Sequence, residues 1–176
     1  PISTVNKISL AFGVVPYSRI NYEVTENIID TTTGNYNTTY LGKGGLSKIF
    51  VGSTYQLPGE FLLGATLEYY FGNIKYTSKL AFEDASYYPA EYEVNFAPKG
   101  FGTTIGFISP NMSDLFDSSS ISNLRFGLST NIVGKLNTDT SFVSRSSTIV
   151  DSISTGETKM EVPMRLNIGM HIAFIN

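Results

Sequence analysis

The stretch MEVPMRLNIGMHIAFI places a large apolar residue at every even position from Met160 to Phe174. The odd positions between them hold Glu161, Pro163, Arg165, Asn167, Gly169, His171 and Ala173. A helix would scatter such apolar residues round its circumference, whereas successive side chains of a strand point to opposite faces. The segment therefore reads as a strand, and it runs well past the roughly 5 to 6 residues usual in soluble sheets.

The pattern recurs along the chain. Near the start the even positions are Ile8, Leu10, Phe12, Val14, Pro16, Ser18, Ile20, Tyr22 and Val24, with Arg19 and Glu23 among the odd ones. Residues 46–57 set Ile49, Val51, Tyr55 and Leu57 against Lys48, Thr54 and Gln56, although Phe50 breaks the pattern. FLLGATLEYYF sets Phe61, Leu63, Ala65, Leu67, Tyr69 and Phe71 against Gly64, Thr66 and Glu68. After Gly72 and Asn73 the apolar positions shift to Ile74 and Tyr76, where a bulge is expected. A strand over 91–108 shifts in the same way between Pro98 and Gly100. In the next, Leu124, Phe126, Leu128, Ile132 and Leu136 oppose Arg125, Gly127, Ser129, Asn131 and Lys135. With the C-terminal strand the count is about six, and helix signals are nearly absent.

These strands exceed the roughly 9 to 11 residues that cross a bilayer. Their second face mixes Gly, Ser, Ala, Asn and charges of both signs, which suits a hydrated lumen better than a soluble surface. A short turn, QLPGE at 56–60, contrasts with the polar stretches 26–45 and 138–158, and short turns at one end with long loops at the other are typical of outer-membrane barrels. The link 109–122 is an exception. The sequence thus predicts an all-β, antiparallel transmembrane β-barrel in the bacterial outer membrane, with residues 1–176 as one domain. Barrels close with about 8 strands or more, so the chain is expected to be a segment of a larger barrel or to close with other chains. The alternative is a soluble β-barrel or sandwich with its apolar face inward, holding a lipophile.

Composition narrows the function. A net charge of −3 without a basic block argues against nucleic acid. Cysteine is absent, which removes thiol chemistry and thiolate metal sites. Aromatic residues make up 13% and charged residues only 15%, against about 25% charged in soluble domains. No apolar run is long enough for a transmembrane helix. PISTVNKISL lacks the basic and apolar regions of a signal peptide, so a mature product or part of a longer chain is expected.

The order of segments resembles the FadL/TodX family of outer-membrane transporters of long-chain fatty acids and other hydrophobic compounds. The resemblance rests on ISLAFGVVPYSRINYEV, a polar loop, LSKIFVGSTYQLPGEFLLGATLEYYFGNIKY, GFGTTIGFISP, ISNLRFGLSTN and EVPMRLNIGMHIAF, in that order. It implies a barrel of about fourteen strands, of which this chain is the middle part. It also implies passage of a hydrophobic small molecule through a lateral gate at Val15, Pro16, Tyr17 and Ser18. Pro16 lacks a ladder N–H and independently marks an edge, bulge or break. Arg19, Ile20 and Asn21 depart from the glycine-containing stretch usual in that family.

No catalytic residue, metal site or cofactor is expected. His171 is the single histidine, and no spacing pairs it with a serine and an acid. Metal binding through His171 with Glu161 and Asp151 is equally weak. Arg19, Glu23, Lys48, Glu68, Arg125, Lys135, Glu161, Arg165 and His171 are predicted to face the lumen, either binding a carboxylate or pairing with one another. GKGG at 42–45 lacks the remainder of a phosphate loop. Tyr22, Tyr69, Tyr70, Phe71 and Tyr76 are candidates for an interfacial girdle. Membrane lipid and envelope proteins are the expected partners, and an interaction subunit of a larger outer-membrane or secretion assembly is the alternative to a transporter.

Overall fold

The computed structural model describes residues 3–5, 7–29, 34–84, 86–113, 121–146 and 149–174. Among the described residues nine strands form one antiparallel sheet: β1 (Ser3–Val5), β2 (Ile8–Ile28), β3 (Tyr36–Gln56), β4 (Leu62–Phe82), β5 (Ala90–Ile108), β6 (Ile121–Val133), β7 (Leu136–Ser146), β8 (Val150–Met160) and β9 (Arg165–Phe174). Neighbours follow chain order from β1 to β6, so hairpins make every connection there. Next, β6 and β7 lie end to end along β5, and β9 and β8 lie end to end along them. The result is six long strands and the stub β1, in agreement with the alternation. The stretch 26–45, expected as a loop, is mostly strand: β2 runs to Ile28 and β3 begins at Tyr36. The polar stretch 138–158 likewise carries strand, β7 pairing with β8 from Leu136–Met160 to Arg145–Val150. Of the link 109–122, residues 114–120 lie outside the described residues.

β2, β3 and β4 are each 21 residues long, about 70 Å at the rise of a strand. The β3–β4 ladder is unbroken from Tyr36–Phe82 to Gln56–Leu62, and β4–β5 keeps one register from Leu62–Ile108 to Leu80–Ala90. Side chains on these three strands therefore alternate without interruption. The bulges expected at Gly72–Asn73 and Pro98–Gly100 are not register shifts between β4 and β5, although pairing lapses between Gly72–Asn73 and Ala97–Pro98. Instead the apolar residues change face: Phe71 and Phe101 lie on one face, Ile74, Tyr76 and Phe96 on the other.

Register shifts occur elsewhere. Pro16 faces Ser47 while Ser18 faces Leu46, so Tyr17 is one residue too many for β3. Between Gly102–Val133 and Lys99–Asn137, β5 supplies two residues and its partner three, with the Gly134 N–H donating to Phe101 O. An extra residue reverses the alternation beyond it. Accordingly Val133 and Leu136, three apart, both reach the same interior cluster.

The sheet is curled. Asn131 on β6 reaches Glu68 and Tyr70 on β4 across the intervening β5. The Arg165 guanidinium carbon, on β9, lies 4.5 Å from the centroid of the Tyr17 ring on β2, at the other end of the sheet. Both contacts identify the face carrying Glu68 and Tyr70 as concave.

Candidate functional site

The concave face has three levels. In the lower half most of its residues are small or polar, with Val15, Phe50, Leu62 and Ile108 as the apolar exceptions on the same face. Glu68, 2% exposed, is the centre of this level. It accepts hydrogen bonds from Lys48 Nζ at 2.7 Å, Thr66 Oγ1 at 3.0 Å, Thr104 Oγ1 at 2.9 Å and Asn131 Nδ2 at 3.0 Å, and from the Tyr70 hydroxyl. Lys48 neutralises the carboxylate, as a buried charge requires. Below the network, Gly64, Gly106, Gly127 and Gly169 line a groove of about 420 Å³ with Ser129 and Asn167.

At mid-height the interior is filled. Leu46, Tyr70 and Leu136 are buried together, with Tyr17, Val133, Met160 and Val162 packed against them. The Tyr17 and Tyr70 rings meet edge to face at 4.9 Å, and the Lys48 ammonium sits 5.9 and 5.8 Å from their centroids. Beside this layer the backbones come very close. Gly44 and Gly45 have φ of +117° and +148°, a conformation that suits glycine.

Above it the concave face becomes aromatic. Tyr40, Ile74, Tyr76, Val94, Phe96 and Phe142 share the parity of Tyr70 through ladders of constant register, and the bulge at Tyr17 brings Tyr22 and Val24 to the same side. Tyr76 and Phe96 meet at 6.1 Å. Tyr22, Tyr40, Tyr76, Tyr92 and Phe142 remain exposed, while Thr138 and Thr140 below them are buried.

The predicted residues separate accordingly. Lys48 and Glu68 meet in the network, and Arg165 stacks on Tyr17. Arg125 and His171 face each other across β6 and β9 near the lower rim, where Arg125 lies 3.6 Å from Glu60. Lys135 and Glu161 pair at 2.8 Å at the breaks in the last two long strands, largely exposed. The same extra residue, Tyr17, turns Arg19 and Glu23 to the convex face, away from the lumen where the alternation had put them. Val15, Pro16, Tyr17 and Ser18 form the bulge itself, with Ser18 Oγ accepting from the Leu46 N–H at 3.3 Å. Pairing between β2 and β3 resumes immediately beyond it. Of the girdle candidates, Tyr69 and Phe71 are convex and pack with each other and with Phe101, at 6.3 and 5.1 Å from Tyr69. Tyr70 is fully buried, and Tyr22 and Tyr76 are concave.

Thr104, Asn131 and the inward role of Tyr70 escaped the sequence reading. Tyr70 shares the parity of Glu68, which was a usable signal. Thr104 and Asn131 come together only through strand pairing. Among the described residues no group of three or more His, Cys, Asp or Glu stands at metal-binding distance.

A family model described as BamG matches residues 2–175. No curated protein and no solved structure matches the chain. The match overturns the resemblance to the FadL/TodX family, whose individual motifs are degenerate. The lateral gate at Val15–Ser18 was drawn from that resemblance.

Proposed function

This chain belongs to the BamG family, and from that premise we propose that it is a membrane-embedded, non-catalytic interaction subunit of the outer-membrane BAM assembly. The convex face supports the membrane part of this reading. Its lower half is an exposed apolar belt that includes Phe12, Val14, Val51, Leu67, Ile105, Leu128, Ile168 and Phe174. On β4 and its lead-in the belt runs from Phe61 to Phe71, about 34 Å along the strand and about 25 Å in height at the roughly 45° tilt of barrel strands. That height matches the apolar band of outer-membrane barrels, about 25 Å. Aromatic pairs mark both margins, Phe61 with Phe107 below and Tyr69 with Phe71 and Phe101 above. Above the belt the same face turns ionic, with Lys75–Glu93 and Arg145–Glu91 pairs, as strands beyond the bilayer require.

The observation that carries the interaction reading is the concave face, filled at mid-height and open and aromatic above. A conduit along that face would need a continuous path past Leu46, Tyr70 and Leu136. Exposed tyrosines on a preformed concave surface are instead the composition of a protein interface. The test is a photo-crosslinking amino acid at Tyr40 or Tyr92 in cells, with Val51 as the convex counterpart. Adducts to BAM components from Tyr40 and Tyr92, and to lipid from Val51, are the expected result. Protein adducts from Val51 with none from the tyrosines would reverse the assignment of faces and sink the proposal.

A further inference from the structure

Lys43 on β3 and Lys75 on β4 stand directly opposite each other in the ladder, on the convex face. Like charges in that position destabilise a strand pair. Lys79 follows on the same face of β4, and the three lysines line a groove of about 210 Å³ with Leu41, Thr77 and Glu91. The surrounding acids do not balance them. Glu93 is shared by Lys75 at 2.7 Å and Arg145 at 3.3 Å. Glu91 is held by Arg145 at 3.1 Å and lies 3.6 Å from Lys79. Lys43 has no ion pair among the described residues. Among the described residues four cations, Lys43, Lys75, Lys79 and Arg145, thus face two carboxylates, Glu91 and Glu93, an excess of two positive charges. On the adjoining β2, Arg19 and Glu23 offset each other.

Height decides what fills such a groove. Lys75 stands four residues above Phe71 on the same strand and face, about 13 Å along the strand from the top of the apolar belt. On the outer-membrane reading proposed above, on which this inference rests, that is the level of lipid headgroups. We infer that Lys43, Lys75 and Lys79 form a binding groove for the phosphate of a lipid headgroup. The ammonium groups of Lys43 and Lys75 supply charge-assisted hydrogen bonds to the phosphate oxygens. The phosphate relieves the repulsion between the opposed lysines, so the cost of placing them opposite each other is recovered on binding.

Native mass spectrometry of the full-length protein in detergent tests this, with diphosphorylated lipid A as probe and inorganic phosphate and a neutral lipid as comparisons. The variants are Lys43→Gln/Lys75→Gln and, as control, Lys99→Gln, whose partner Asp139 lies outside the groove. Retention of lipid A by the wild type and by Lys99→Gln is expected. The double variant should lose about tenfold in affinity per lysine removed. Equal binding by the double variant, or an equal loss in Lys99→Gln, would overturn the proposal. Binding of inorganic phosphate as tight as that of lipid A would overturn the lipid assignment. Quenching of tyrosine fluorescence by brominated acyl chains separates the two readings. Its absence removes the membrane placement, whereas quenching with unchanged lipid A binding in the double variant removes the groove alone.

Discussion

Replacing Glu68 by glutamine keeps the side chain's size and removes its charge. Five donors converge on the carboxylate, from Lys48, Thr66, Tyr70, Thr104 and Asn131. The amide brings an NH₂ of its own, so at least one donor is left facing another. Lys48, whose side chain is 19% exposed, loses its counter-charge in a water-poor interior. Removing one partner of a buried pair costs about 3 to 5 kcal/mol, and the partial exposure of Lys48 places the expected loss near 3 kcal/mol. Urea titration of the full-length protein in detergent, followed by far-ultraviolet circular dichroism, reads this as a lowered midpoint at unchanged slope. The double variant Glu68→Gln/Lys48→Met removes both charges and should recover more than half of the loss. A single variant within about 1 kcal/mol of wild type, or a double variant no better than the sum of the singles, would show that the network does not hold its four strands, β3 to β6, together.

Further outcomes follow from the backbone. Gly44→Ala should destabilise by about 2 to 3 kcal/mol in the same titration, because a Cβ there collides with the Asn73 carbonyl oxygen at positive φ, while Gly169→Ala, with open space around it, should be neutral. Deleting Tyr17 removes the extra residue of β2 and should return Arg19 and Glu23 to the concave face; a cysteine at position 19 would then lose its reactivity toward a bulky thiol reagent applied from the convex side. In the loop after β4, the Ser86 N–H and hydroxyl hold the Asp84 carboxyl below its ordinary range. A depressed folded value means that the contribution is present above the unfolded pKa and lost as pH falls through the folded one, so protection of the Ser86 amide from exchange should hold at neutral pH and disappear in acid.

The lower half was readable from sequence because one physical condition governs it: each strand has a greasy face and a polar one. Phe12, Val51, Leu67 and Ile168 were assigned to the apolar face on that ground, and the structure keeps them together on the convex side. At Gly72–Asn73 and Pro98–Gly100 the same rule misled. A shift in apolar parity looked like a bulge, yet β4 and β5 keep one register across it and it is the surroundings that change. The bulge at Tyr17 was the reverse case. The even positions Ile20, Tyr22 and Val24 continue the pattern of Phe12 and Val14 without a gap, so nothing in the alternation shows that they have crossed to the other face. Pro16 alone pointed to an irregularity there, through its missing N–H.

Read by itself, the sequence determined that the chain forms long antiparallel strands and which residues stand next to each other on a face, since alternation is a local property of an extended backbone. Only the tertiary structure decided which face is concave, which half of it is filled, and that Glu68 gathers Thr104 and Asn131 from two other strands. Those outcomes depend on register, and one extra residue at Tyr17, or another beside Gly134, reverses every side chain beyond it while leaving the local pattern intact.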